Sequence, residues 1–157
     1  RDYAICLDKV QFIQHGENTT YKVADTKRNK YLLRIHRNGY HTKAALGEEL
    51  TCLMKVSKNS DIIAPVPLRN RKGRYITVCN DRNITLMSWV EGRQILKSAS
   101  SKHLALVGKL IANLHKSSQN LKVKHRQYWD SEGLAGKKPF MGPMDNVTGL
   151  NRVNSLF

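Results

Sequence analysis

The sequence Lys30-Tyr31-Leu32-Leu33-Arg34-Ile35-His36-Arg37 decides how the rest of the chain is arranged, because it is an apolar run that ends in cations. Successive side chains of a β-strand point to opposite faces. Alternation therefore places Leu32 and Arg34 on one face of a predicted strand and Tyr31, Leu33 and Ile35 on the other. Arg34 is expected to project from a mostly buried sheet face, where a charge needs a partner.

A predicted helix after this strand offers two acids as that partner. Its apolar residues recur at helical spacing and form one stripe: Leu46, Leu50, Leu53 and Met54. At about 100° per residue, Glu49 lies at the edge of the stripe, whereas Glu48 points nearly the opposite way. We predict that Glu49 turns inward and pairs with Arg34. The alternative is that both are ordinary solvated charges of a strand end and a helix surface.

The net charge of +15 is the strongest compositional signal in these 157 residues. The cations are spread over the whole length, which is typical of solvated surface. The excess favours polyanionic partners such as nucleotides, nucleic acid or an acidic neighbouring domain. No zinc-finger spacing, RNA-recognition signature or basic ribbon with interleaved aromatic residues supports nucleic acid. Nucleic acid is therefore the less favoured of these partners.

Length and apolar content indicate one ordinary soluble domain with a sizeable core. No stretch approaches the ~20 apolar residues of a membrane span, and the first residues lack the form of a signal peptide. We therefore expect a cytoplasmic protein with no membrane partner. Three widely spaced cysteines in apolar runs favour buried free thiols over disulfides or zinc: Cys6, Cys52 and Cys79. Because the chain begins at Arg1, we expect a fragment of a longer protein.

The order of elements predicts an α+β fold, in which a five-stranded antiparallel sheet has one helix inserted after its third strand. A hairpin with a polar turn at Gly16 comes first. Residues 62–67 are extended, since each proline restricts the residue before it, and two more strands lead to a connector. A second helix follows, with Ser100 or Ser101 as its N-cap and an apolar stripe along it: Leu104, Val107, Leu110, Ile111 and Leu114.

Six short segments in this order resemble the aminoglycoside phosphotransferase-like kinases, a family that also includes choline and homoserine kinases. The resemblance runs from about Phe12 to Gly149. Its segments are Gly16 to Val23, Tyr31 to Arg37, Glu49 to Leu53, Pro65 to Pro67, Met87 to Gly92, and Ile111 to His115. It implies a protein-kinase-like N-terminal lobe over residues 1–86, a hinge over 87–92 and the beginning of a truncated helical C-terminal lobe over 93–157.

The resemblance also implies an ATP site, whose residues are Gly16, Asn18, Thr19, Arg34, Glu49, Met87, Ser88 and Val90. The first three belong to a turn that covers the ATP phosphates. Arg34 takes the place of the cation that holds those phosphates, and Glu49 is its partner on the helix. The last three lie at the hinge, where backbone groups of Ser88 and Val90 would hydrogen-bond adenine. Lys is frequent at the position of Arg34 in kinases, and Arg keeps the charge while its reach and geometry differ.

Phosphoryl transfer in this family needs an Asp near the attacking hydroxyl, a nearby Asn and a further Asp that holds Mg²⁺. The family's His-Gly-Asp segment and the Asn and Asp that follow it are absent, and His125-Arg126-Gln127 has Gln where the acid must be. We therefore predict that the chain keeps nucleotide-binding elements and has no catalytic or metal-binding residue of its own. Mg²⁺ is expected only together with the rest of the C-terminal lobe.

Two functions stay open at this point. The first is the N-terminal fragment of an ATP-dependent phosphotransferase that acts on a hydroxyl of a small molecule or a protein and is inactive by itself. Its partners would be a nucleotide, an unknown hydroxyl-bearing substrate and, through the unfinished lobe, another copy of the chain. The second is a non-catalytic basic module on a kinase-like scaffold, which binds polyanions or nucleic acid. The order of elements and the hinge segment favour the first.

Overall fold

The computed structural model describes residues 2–59, 62–92 and 99–126. The strands and helices of these residues are β1 (Leu7–His15), β2 (Asn18–Asp25), β3 (Lys30–His36), α1 (Lys43–Asn59), β4 (Ile76–Cys79), β5 (Arg82–Ser88) and α2 (Ser101–Ser118). The strands form one antiparallel sheet in the order β1-β2-β3-β5-β4. The predicted α+β fold, with a helix inserted after the third of five strands, is confirmed.

The chain divides into two units, residues 1–125 and residues 126–157. The first unit contains all the named elements, and the second lies outside the described residues except for Arg126. The predicted boundaries at residues 86 and 92 remain predictions, although Met87 and Ser88, assigned to the hinge, are the last two residues of β5. No helix in the described ranges is long and apolar enough to cross a membrane.

Pairing of the central strands sets the two faces of the sheet. Arg34 on β3 lies opposite Thr20 on β2 and Thr85 on β5, and Leu32 lies opposite Met87. Because side chains alternate along each strand, these residues share the face on which α1 lies. Leu46 and Leu50 of the predicted α1 stripe are buried, as is Met87. On the opposite face, the buried apolar residues are Val23 and Leu86.

The turn between β2 and β3 is built around one carboxylate. Asp25 accepts hydrogen bonds from the backbone N–H groups of Lys27 and Asn29, at 2.9 and 2.8 Å. The Asn29 side-chain amide and the Tyr31 hydroxyl donate to its second oxygen, both at 2.9 Å. These hydrogen bonds, led by that of the Asn29 side chain, hold the pKa of Asp25 below its usual range. The hydrogen bonds of this turn thus fix the residue at which β3 begins.

The extended segment before β4 pairs with the second half of β5. The Leu68 N–H donates to the Leu86 carbonyl and the Ser88 N–H donates to the Val66 carbonyl, each at 2.8 Å. Pro67 forms an isolated antiparallel bridge with Met87. The two prolines keep this segment extended, so it follows the second half of β5 where β4 no longer pairs.

The apolar stripe of α2 is exposed in the described part of the chain, from 40% at Leu114 to 66% at Leu104. The expectation of buried thiols is wrong for Cys6 and Cys79, which are exposed, whereas Cys52 is partly buried. Cys6 precedes the edge strand β1, and Cys79 ends the short edge strand β4. An apolar stretch at a sheet edge therefore does not imply a buried thiol.

Glu48 ties α1 to the chain that follows α2. Its two carboxylate oxygens accept hydrogen bonds from the backbone N–H groups of Lys124 and His125, at 2.8 and 2.9 Å. The helical periodicity predicted that Glu48 points away from the apolar stripe of α1, but it could not predict what Glu48 contacts there. The two amides, more than seventy residues further along the chain, are that partner.

His36 is the buried titratable group next to Arg34 on β3. It is only 3% exposed, and its Nε2 lies 3.0 Å from the Thr85 hydroxyl. Its Nδ1 is buried and has no hydrogen-bond partner in the described part of the chain. Burial, followed by the positive charge of Arg34, lowers the pKa of His36 from 6.5 to about 4. The folded protein therefore keeps His36 neutral.

We predict that the free energy of unfolding falls as the pH is lowered from 6.5 to 4. The unfolded chain takes up the His36 proton near pH 6.5, and the folded chain does so only near pH 4. The free energy of unfolding is therefore highest above pH 6.5 and falls progressively as the pH is lowered to 4. The protonation of His36 accounts for a decrease of about 3 kcal/mol over this range. Urea unfolding at several pH values measures it. His36→Gln should flatten the pH dependence, whereas the exposed control His115→Gln should not, and parallel curves for wild type and His36→Gln would contradict the prediction.

Removal of the Glu48 carboxylate should release the segment at residues 124–125. Glu48→Ala takes both acceptors from the two amides, and a loss of about 1–2 kcal/mol raises the open population roughly 5–30-fold. Limited trypsin digestion followed by mass spectrometry should show correspondingly faster cleavage after Lys122 and Lys124. Glu17→Ala removes the same charge elsewhere and should leave these cleavage rates unchanged. Equal rates in all three proteins would show that the contact does not hold the segment.

Candidate functional site

The ion pair between β3 and α1 is the centre of the candidate site. Arg34 Nη1 lies 2.8 Å from Glu49 Oε1, and the two side chains are 25% and 23% exposed. The predicted pairing is therefore present. A guanidinium has five N–H donors in a planar fork, and the hydrogen bond to Glu49 comes from the terminal nitrogen Nη1. The ion pair holds Arg34 in place, and the remaining N–H donors of the guanidinium can bind an oxyanion that enters from solvent.

The turn between β1 and β2 lies beside the C-terminal end of β3, because Asn18 pairs with His36. Gly16 and Glu17 form the whole connection, and the Gly16 N–H donates to the Asn18 carbonyl at 3.2 Å. By strand alternation, Asn18 shares the face of Thr20 and Arg34, whereas Thr19 lies on the other face. The Thr19 hydroxyl lies 2.8 Å from His15 Nδ1. Asn18 is thus on the face of Arg34, and the Thr19 side chain stabilises the hairpin.

A side-chain hydrogen bond that the sequence did not indicate ties this turn to the start of α1. His41 Nε2 lies 2.9 Å from Glu17 Oε1. Thr42 caps α1 immediately afterwards, where its hydroxyl accepts the Ala45 N–H at 3.1 Å. The tie joins residues 24 positions apart, so no local pattern could have indicated it. It connects the turn and the helix that carries Glu49.

The hinge residues lie at and after the end of β5. Met87 is fully buried on the face of Arg34. The Ser88 N–H already donates to the Val66 carbonyl, and its hydroxyl accepts the Val66 N–H at 2.9 Å. The Ser88 backbone N–H is therefore already hydrogen-bonded within the chain. Val90 follows the strand and is half-buried, and residues 93–98 of the chain lie outside the described residues.

Two lysines secure the connector from the side of β2 and β3. Lys22 Nζ lies 4.6 Å from the centre of the Trp89 ring, a cation–π contact. Lys30 forms an ion pair with Glu91, and this hydrogen bond holds the pKa of Glu91 below its usual range. Neither contact was predicted from the sequence. Their pairing depends on the register between β3 and β5, which a sequence does not show.

The part of the chain that the structure describes offers no metal site. No group of three or more His, Cys, Asp or Glu side chains within it could hold a metal ion. The candidate site thus consists of a cation held by an ion pair, a glycine-bearing turn and the end of β5.

Comparisons with known proteins identify chains of similar sequence and fold. A curated relative, an uncharacterized protein from Synechocystis sp., is 28% identical over 116 residues, which are 71% of this chain and 32% of the relative. The structure of the microcompartment-associated aminopropanol kinase matches with a TM-score of 0.80 and 25% identity, over 99% of this chain and 53% of that one. Amicoumacin kinase hAmiN, solved in complex with AMP-PNP, Ca²⁺ and Ami, has a similar fold, with a TM-score of 0.77, 18% identity and coverage of 98% and 48%.

The chain thus spans about a third of the curated relative and about half of each kinase structure. A model of one family, the phosphotransferase enzyme family known as APH, matches residues 9–139 and includes every element from β2 to α2. Because this match covers most of the sequence and agrees with the observed fold, the chain belongs to the phosphotransferase enzyme family.

Proposed function

We propose that this chain is the nucleotide-binding part of an ATP-dependent phosphotransferase, which transfers the γ-phosphate to a hydroxyl group. The observation that carries the proposal is the Arg34–Glu49 ion pair at 2.8 Å. The ion pair orders the Arg34 side chain, and the guanidinium stays partly exposed. It can therefore bind the phosphates of ATP. Family membership over residues 9–139 supports the same reading.

Each end of the site has its own role in the proposal. Arg34 holds the phosphates, and backbone N–H groups of the turn at Gly16, Asn18 and Thr19 cover them. Adenine lies against the end of β5, where the Ser88 carbonyl and the Val90 backbone hydrogen-bond its edge and Met87 closes the inner wall. The lysine contacts to Trp89 and Glu91 keep that edge in position.

A small hydroxyl-bearing molecule is the acceptor that we favour. The aminopropanol kinase and the amicoumacin kinase are named for small-molecule substrates, and the second was solved with a nucleotide analogue and a divalent ion. The acceptor contacts themselves are assigned to no residue of this chain. A protein hydroxyl remains the other acceptor class.

The 157 residues contain no His-Gly-Asp segment, and the described residues hold no group of metal ligands. The proposal therefore assigns no catalytic residue and no Mg²⁺ ligand to them. Mg²⁺, when bound with ATP, would neutralise charge on the phosphates. The contribution of this chain is to bind and orient the nucleotide.

Arg34→Met should weaken ATP binding roughly 10–100-fold and leave adenosine binding unchanged. A charge-assisted hydrogen bond contributes about 1.5–3 kcal/mol, and each 1.4 kcal/mol is about tenfold in affinity. Isothermal titration calorimetry with both ligands measures the difference. Arg37→Met is the matched control, because Arg37 is an exposed cation one residue after β3 and its loss changes the net charge equally.

The same titrations distinguish the two functions that the sequence left open. A polyanion-binding module would lose ATP affinity equally in both variants, would ignore adenosine and would bind less as salt rises. A nucleotide site keeps adenosine recognition at high salt. Equal losses for Arg34→Met and Arg37→Met would therefore overturn the nucleotide proposal in favour of the basic module.

We also expect the purified 157-residue chain to bind ATP without turnover. Incubation with Mg-ATP and a panel of amino alcohols should yield no ADP above that formed by the Arg34→Met variant, because the sequence has no His-Gly-Asp segment whose acid would orient the acceptor hydroxyl. A coupled assay for ADP measures this. Phosphoryl transfer that disappears in the variant would show that these residues contain the catalytic groups after all.

A further inference from the structure

A cavity of about 430 Å³ lies between α1 and β4. Gly47 and Leu50 line it from α1, and Ile76 and Val78 line it from β4. Its volume is within the range of pockets that bind small molecules. None of the eight residues predicted to bind ATP lines it.

Charge within this cavity is one-sided. Three cations line it, Lys43, Lys72 and Arg74, against a single acid, Asp2. The ion pairs of Lys and Arg among the described residues are Lys30–Glu91 and Arg34–Glu49, and neither uses these three cations. The cavity therefore has three cations around it, one acid, and no ion pair between them among the described residues.

The turn that carries two of the cations is rigidly built. Asn70 Oδ1 accepts the backbone N–H groups of Lys72 and Arg74 at 3.0 and 2.9 Å, and its amide donates to the Thr77 hydroxyl at 3.0 Å. Gly73 supplies the left-handed conformation, with φ at 71°. Ordering this turn therefore adds little to the cost of binding, since folding has already ordered it.

The wall next to the turn is aromatic and equally fixed. Arg69 stacks over the Tyr75 ring at 4.4 Å and donates from Nη1 to the Gly73 carbonyl at 2.6 Å. Tyr75 lines the cavity beside the apolar floor of Leu50, Ile76 and Val78. The site thus combines a cationic rim with an aromatic and aliphatic interior.

We propose that this cavity binds a small organic anion, one whose phosphate or carboxylate group meets Lys43, Lys72 and Arg74 while its aryl or alkyl part packs on Leu50, Ile76 and Val78. The cations attract the anionic group, and the apolar floor adds affinity only for a ligand that also carries an apolar part. This site is separate from the nucleotide site and does not depend on the function proposed for it.

Phenyl phosphate is the probe, titrated into ¹⁵N-labelled protein and followed by NMR. The amide signals of Gly47, Leu50 and Val78 should shift together, with a dissociation constant on the order of 1 mM or lower for a ligand of this size. Benzyl alcohol, which lacks the anion, and inorganic phosphate, which lacks the ring, should each bind at least tenfold more weakly. The Arg34→Met variant should bind phenyl phosphate as the wild type does.

The double variant Lys72→Met/Arg74→Met should weaken phenyl phosphate binding at least tenfold, and Lys43→Glu should do the same from the other side of the cavity. Lys102→Met/Lys109→Met on α2 removes the same charge from exposed helix positions and is the control. Equal weakening in the control would mean that only net charge matters, and would overturn the site. Shifts confined to residues around Arg34, or inorganic phosphate binding as tightly as phenyl phosphate, would overturn it too.

Discussion

The structure depends on one constraint: Arg34, on the middle strand β3, lies on the sheet face that α1 covers, and its charge needs a partner there. Thr20 and Thr85 flank Arg34 in the sheet, and both are buried. Neither can neutralise a charge, so the counter-ion has to come from the element that packs over the face. Helix α1 supplies it with Glu49, while Leu46 and Leu50 of the same helix bury apolar surface. Leaving the guanidinium without this partner would be costly.

Two adjacent acids on α1 hold different parts of the molecule. Glu49 reaches β3, and Glu48 accepts hydrogen bonds from the backbone at residues 124 and 125. Successive helical residues differ in direction by about 100°, which is why one helix can bind the sheet and a distant segment at once. The position of α1 therefore links the cation of the candidate site to the chain that follows α2.

The large positive charge of the protein is organised locally. Near the end of β5, Lys22 and Lys30 are committed to Trp89 and Glu91 and stabilise the connector. Beside β4, Lys43, Lys72 and Arg74 surround a cavity and have no ion pair among the described residues. Lysine and arginine thus form structural contacts near β5, whereas beside β4 they create a local positive potential without an ion pair. Composition alone describes both as excess charge.

Local periodicity in the sequence determined the strand from Lys30 to His36, the buried stripe of α1 and the inward direction of Glu49, because these follow from the repeat of a strand and of a helix. The tertiary structure alone decided what lies opposite each side chain. It placed two backbone amides at Glu48, brought Glu17 to His41 and Lys30 to Glu91, and left the apolar stripe of α2 and two of the three cysteines exposed. The physical reason is that a repeat fixes the direction in which a side chain points, whereas its partner depends on strand register and on contacts between residues far apart in the chain.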